Sequence, residues 1–174
     1  DEIKRSEDRF KELFGNEDSV MVLVEAEDVF APEVLDAIDR LGKRLESEVP
    51  FADKITSIMN LSVAKGTEEG MEMVNPFEDG IPGGGKPLSQ MTEDERSDLA
   101  QKKEFIMSRT SLVNNLVSDD ATETWVILSL TPYGDETERA DMLTVGRAAI
   151  PIVESDEFKS DLYTLKGTGL GYTE

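Results

Sequence analysis

The chain reads as an α+β domain of two β-α-β halves (βαββαβ), separated by a long insertion that carries a helix of its own. Three observations predict this. Short apolar runs sized for buried strands alternate with stretches whose apolar residues recur every three or four positions. A Gly- and Pro-rich tract without periodicity interrupts the series near its middle. The 174 residues, 38% hydrophobic and 32% charged, suffice for one domain with a sizeable core and do not resemble a disordered tail.

In residues 1–14, Phe10, Leu13 and Phe14 fall at helical spacing among charged neighbours, which predicts a leading amphipathic helix ended by Gly15. Val20, Met21, Val22, Leu23 and Val24 form a continuous apolar run, short enough to be a buried strand over residues 19–25. Pro32 suits a first helical position and Glu33 suits the positive first turn, and from there Val34, Ile38, Leu41 and Leu45 mark one helix face until Pro50. Ile55, Ser57, Met59, Leu61 and Val63 then recur at the strand period of two. Periodicity is lost from residue 66 to 88. Thr92 and Glu95 have the spacing of a reciprocal cap, which starts a helix running to about Arg109. A strand ending near Val117, a turn at Ser118, Asp119 and Asp120, and a strand over residues 123–130 follow. A third helix is expected from a cap near Asp135, through Ala140, Leu143, Arg147 and Ile150, to a kink or stop at Pro151. A last strand occupies residues 161–168.

Removing residues 66–118 leaves strand, helix, strand, strand, helix, strand. That is the ferredoxin-like, split βαβ order, a sandwich with helices on one face of an antiparallel sheet. One domain then spans residues 1–174, with a first half at 19–65, the insertion at 66–118 and a second half at 119–174.

Composition excludes several classes of function. The net charge of -20, from 38 acidic and 18 basic residues, opposes nucleic acids and anionic membrane surfaces. No apolar run reaches the roughly 18 to 20 residues needed to cross a bilayer, and no secretory leader is visible. A start at Asp1 without methionine suggests a piece of a longer chain; a trimmed soluble protein is the plainer alternative. Without cysteine there are no disulfides or thiolate nucleophiles, and without histidine there is no imidazole base and no ordinary zinc site. The chain is read as non-catalytic, with no cofactor and no metal.

A resemblance joins these segments. The stretch around Phe14 and Gly15, the strand run from Val20, and Asp28-Val29-Phe30-Ala31-Pro32-Glu33-Val34-Leu35 with Ile38 resemble the start of the first porter loop of RND superfamily and MMPL-type exporters. Ile55-Thr56-Ser57-Ile58-Met59-Asn60 and Asn75-Pro76-Phe77 resemble the V-x-S-I-x-N strand and the Pro-containing segment of that loop. Residues 114–130, with Asn-Asn-Leu-Val-Ser-Asp-Asp before an apolar strand, are similar to a third marker late in it. The order is kept across nearly the whole chain. The departures are the glycine run at residues 83–85 and the strong acidity.

The resemblance implies a porter domain on the extracytoplasmic face of the membrane, periplasmic or external, as part of a proton-driven integral membrane exporter. It implies partners in a sister loop and in membrane helices of the same transporter, with a lipid or other hydrophobic molecule as cargo and homo-oligomerisation left open. The proton-relaying carboxylates of such exporters sit in membrane helices, so no catalytic residue carries over. The rival reading is a free-standing acidic α/β protein-binding domain.

Few residues invite a sharper role. Met71, Met73, Pro76, Phe77, Ile81 and Met91 place soft apolar side chains in an irregular segment, which suits an adaptable contact with cargo or a neighbouring subdomain. The plainer alternative is that they cover the sheet or core. Asp119 and Asp120 read as turn residues, because a calcium loop needs further oxygen ligands at set spacings. Gly83-Gly84-Gly85-Lys86 lacks the frame of a phosphate loop and reads as a flexible connector. Paired carboxylates such as Glu68 with Glu69 are expected by chance in so acidic a chain.

Overall fold

Five consecutive apolar residues demand a strand covered on both faces, and in β1 (Ser19–Ala26) Val20, Met21, Val22, Leu23 and Val24 are all buried. A computed structural model describes residues 19–131 and 142–169. The helix expected over residues 1–14 and the helix start expected near Asp135 lie outside the described residues.

After β1 the Asp28 carboxylate accepts the Phe30 amide at 2.9 Å and turns the chain into α1 (Pro32–Glu48). Pro32 opens the helix and Glu33 lies in its first turn, as their backbone preferences require. Val34, Ile38, Leu41 and Leu45 are buried along one stripe. Gly42 permits close packing on the next strand: a Cβ there would lie 3.2 Å from Cγ2 of Ile55.

The strand expected from Ile55 to Val63 is interrupted. β2 (Ala52–Thr56) ends where the buried Ser57 hydroxyl accepts the Met59 amide at 3.1 Å and donates to Oδ1 of Asn60 at 2.9 Å. Those bonds close a short 3₁₀ turn, Ile58–Asn60, in place of a sheet ladder. The aperiodic reading of residues 66–88 also needs correction, because β3 (Val63–Thr67) and β4 (Gly70–Val74) pair as an antiparallel hairpin. This hairpin spans the 65/66 boundary drawn from sequence.

α2 (Glu93–Met107) begins as expected. The Thr92 hydroxyl accepts the Glu95 amide at 3.1 Å, and the Glu95 carboxylate accepts the Thr92 amide at 2.8 Å. The strand expected to end at Val117 is replaced by turns with isolated bridges, one of them between Val117 and Thr124. β5 (Glu123–Leu130) follows. α3 (Met142–Val153) continues past Pro151, where the sequence suggested a kink or an end, because a proline in the last turn forfeits only one helical hydrogen bond. β6 (Tyr163–Gly169) closes the described fold.

The main sheet has the order β2-β5-β1-β6, and every neighbouring pair is antiparallel. β1 and β2 therefore run parallel with β5 inserted between them, while β5 and β6 run parallel with β1 between them. α1 packs on β2 and β5, α3 contacts β6, and the two helices touch. At the sheet's centre Leu23 lies opposite Trp125 and Val22 opposite Val126, all buried. The molecule is an α+β fold with antiparallel strands and three helices among the described residues. No helix among those residues is long and apolar enough to cross a membrane.

Candidate functional site

The β3–β4 hairpin carries two of the six candidate contact residues, and its register decides which way they face. Gly66 lies opposite Met71 and Ala64 opposite Met73, so these four share one face; Lys65 and Glu72 lie opposite each other on the other face. Two residues, Glu68 and Glu69, make the turn, and Gly70 adopts φ 132°, a backbone conformation open in practice only to glycine. The Thr67 hydroxyl donates to the Gly70 carbonyl at 3.1 Å and braces the tip.

Only the base of the hairpin reaches the core. Val63 is buried, whereas residues 65–73 are exposed throughout. Met71 is 73% exposed and Met73 62% exposed, on the same side and two residues apart. Each stands opposite a residue with little or no side chain, which leaves both thioethers uncovered.

The other four candidates lie elsewhere. Phe77 and Met91 are buried in the core cluster, so they offer no surface for contact. Ile81 is partly buried against that core and Pro76 is half-buried. Asn75 shapes this bend: its side-chain amide donates to the Met59 carbonyl at 3.3 Å, and its Oδ1 accepts the Phe77 amide at 2.9 Å. The apolar composition of the segment thus divides into an interior part and an exposed pair.

Beside the bend lies a cleft of about 390 Å³ between the outer face of α1 and residues 75–84, lined in part by Asp36, Asp39, Lys43, Asn60 and Glu78. Its charges are largely neutralised in pairs, Arg40 with Asp36 at 2.8 Å and Lys43 with Asp39 at 2.8 Å. The hydrogen bond that Lys43 donates to the Asp39 carboxylate raises the pKa of Lys43, so the amine stays cationic and supplies neither base nor nucleophile. No group of three potential metal ligands occurs among the described residues.

The remaining motifs are structural. Oδ1 of Asp120 accepts the Thr122 hydroxyl at 2.6 Å, the Ser118 hydroxyl at 2.8 Å and the Thr122 amide at 3.1 Å. Those bonds, led by the Thr122 hydroxyl, lower the Asp120 pKa and spend its oxygen on the turn. Gly83, Gly84 and Gly85 all have positive φ, between 72° and 90°. Lys86 is paired with Glu95 at 3.0 Å, which ties the glycine turn to the start of α2 and not to a phosphate.

The hairpin itself escaped the sequence reading. A signal was present: two five-residue runs separated by Glu68-Glu69, the second opening on glycine and alternating Met-Glu-Met-Val. Comparisons of the chain with protein families, with curated proteins and with solved structures gave no match. The functional reading therefore rests on geometry and on the segment resemblance.

Proposed function

We propose that the chain is the extracytoplasmic porter domain of a proton-driven exporter of the RND/MMPL type, non-catalytic in itself and part of the path or gate for a hydrophobic cargo. The observation that carries this reading is the interlocked sheet. Two β-α-β units with the strand order β2-β5-β1-β6 agree with the ferredoxin-like, split βαβ arrangement that the ordered resemblance implies. A chain without histidine or cysteine fits a domain that moves or guides cargo while proton chemistry happens in membrane helices elsewhere. The exposed Met71 and Met73 supply a soft surface of the kind an adaptable contact uses.

The deciding test is the gene on either side of these codons. The reading expects apolar segments of about 20 residues close to both ends of the domain; hydrophilic sequence on both sides sinks it. In the intact transporter, Met71→Thr with Met73→Thr is expected to lower gradient-driven efflux of a hydrophobic dye while leaving protein abundance unchanged.

The rival reading, a free-standing acidic protein-binding domain, has an observation of its own. Glu68, Glu69 and Glu72 on the hairpin form no ion pair among the described residues, which leaves an acidic surface available to a basic partner.

A further inference from the structure

We infer that the methionine face of the β3–β4 hairpin docks a short basic amphipathic helix from a partner protein. This goes beyond the exporter reading and does not depend on it, since the same face serves a porter domain meeting a neighbouring chain or a free-standing domain meeting a ligand protein.

Shape comes first. Met71 and Met73 stand side by side on one strand, across from Gly66 and Ala64 on the other, so the face has two exposed thioethers beside small residues. Methionine is unbranched and polarizable, and it adapts to apolar side chains of irregular outline. Met71 and Met73 are two residues apart on β4, about 7 Å along the strand, close to the rise of about 6 Å between positions i and i+4 of a helix. That matches two neighbouring anchors on one apolar helix stripe. A two-stranded face has no walls to enclose a small molecule, which a ligand pocket requires.

Charge chooses among the macromolecules that could lie on such a face. Glu68 and Glu69 are exposed at the tip, and Glu78 and Asp79 are exposed just beyond the base, against one cation, Lys65, on the strands. None of these four carboxylates forms an ion pair among the described residues. An apolar face with an acidic tip is complementary to a helix carrying Lys or Arg beside its apolar stripe. The same charges, within a chain of net charge -20, repel an anionic lipid surface. A second copy docked face to face would set these carboxylates against their own kind.

The test uses the full 174-residue chain and a fluorescent synthetic helix with leucine on one face and lysine on the other, titrated at about 0.15 M salt. Saturable micromolar binding is expected. Met71→Thr with Met73→Thr, which keeps the charge and suits a strand, should weaken it by at least about tenfold. Glu68→Gln with Glu69→Gln should weaken binding and flatten its salt dependence. Glu104→Gln with Glu154→Gln, which removes equal charge from other exposed positions, should change little. Circular dichroism verifies that each variant is folded.

Equal binding by the parent and the methionine variant overturns the inference, because it marks diffuse attraction to an acidic protein. So does equal loss in the two glutamine variants, equal binding of a leucine/glutamate helix, or no binding at all. Methionine-dependent partition onto phosphatidylcholine or phosphatidylglycerol vesicles would assign the face to a membrane instead. Methionine-dependent dimerisation in sedimentation would assign it to a second copy.

Discussion

Ser57 diverts the chain with a single buried hydroxyl. It accepts the Met59 amide and donates to Asn60, so removing it strands a buried donor instead of merely deleting a bond. Ser57→Ala is expected to cost about 1–3 kcal/mol in urea denaturation, the range for an unsatisfied buried polar group. Thr92 works at the surface, where its hydroxyl and the Glu95 carboxylate cap α2 reciprocally. Thr92→Ala should cost about 1 kcal/mol and Thr92→Ser much less. The Glu95 pKa is lowered from 4.5, first by the Thr92 amide and then by Lys86; that of Asp120 is lowered from 3.8, first by the Thr122 hydroxyl. A depressed carboxylate contributes stability above its unfolded pKa and loses it as pH falls through the lower folded value. Stability should therefore decline below about pH 4.5 through these two groups, and the Glu95→Gln, Asp120→Asn double variant should show a shallower decline between pH 5 and pH 2.5.

Among the elements, two leucines give a clear contrast: Leu41, on the inner face of α1, is fully buried, whereas Leu88, in the short turn before α2, is 47% exposed. Leu41→Ala should cost about 2–5 kcal/mol and Leu88→Ala under about 0.5 kcal/mol by the same denaturation assay. α1 was legible in the sequence because propensity, Pro32, Glu33 and the apolar stripe agree on one answer. β1 and β5 were legible because strands buried on both faces need unbroken apolar runs, and α2 because a capping box is a local code. The misread elements are those where two signals compete. Ile55 to Val63 alternates like a strand, and Ile55, Ser57, Met59, Leu61 and Val63 are all buried, but so is Ile58, because Ser57 offers the backbone a closer partner than a neighbouring strand does. In the hairpin, Met71 and Met73 alternate with exposed Glu72, yet no apolar face is buried along β4, so hydrophobic pattern had little to report. The candidate contact set divided for the same reason. Composition identifies soft residues, but only the register of β4 and the Asn75 bend separate the exposed pair from interior Phe77 and Met91.

At the scale of the molecule, the net charge of -20 opposes compaction, and the ion pairs do not offset it. Arg40 reaches both Asp36 and Glu157 at 2.8 Å, and Arg44 links Glu48 to Glu157, but these groups are exposed to solvent, and such surface pairs contribute little to stability. Raising sodium chloride from about 0.01 M to 0.15 M shortens the screening length from about 30 Å to 8 Å. Contacts near 3 Å are weakened only modestly by that change, whereas repulsion between carboxylates spread over the whole surface loses most of its reach. The melting temperature should therefore rise by several degrees over this range, with most of the gain at the low-salt end. Glu104→Gln with Glu154→Gln, which reduces the repulsion without touching an ion pair among the described residues, should shrink that rise. A melting temperature that fell with added salt would reverse the ranking, placing the Arg40, Arg44 and Glu157 cluster above the self-repulsion of the chain.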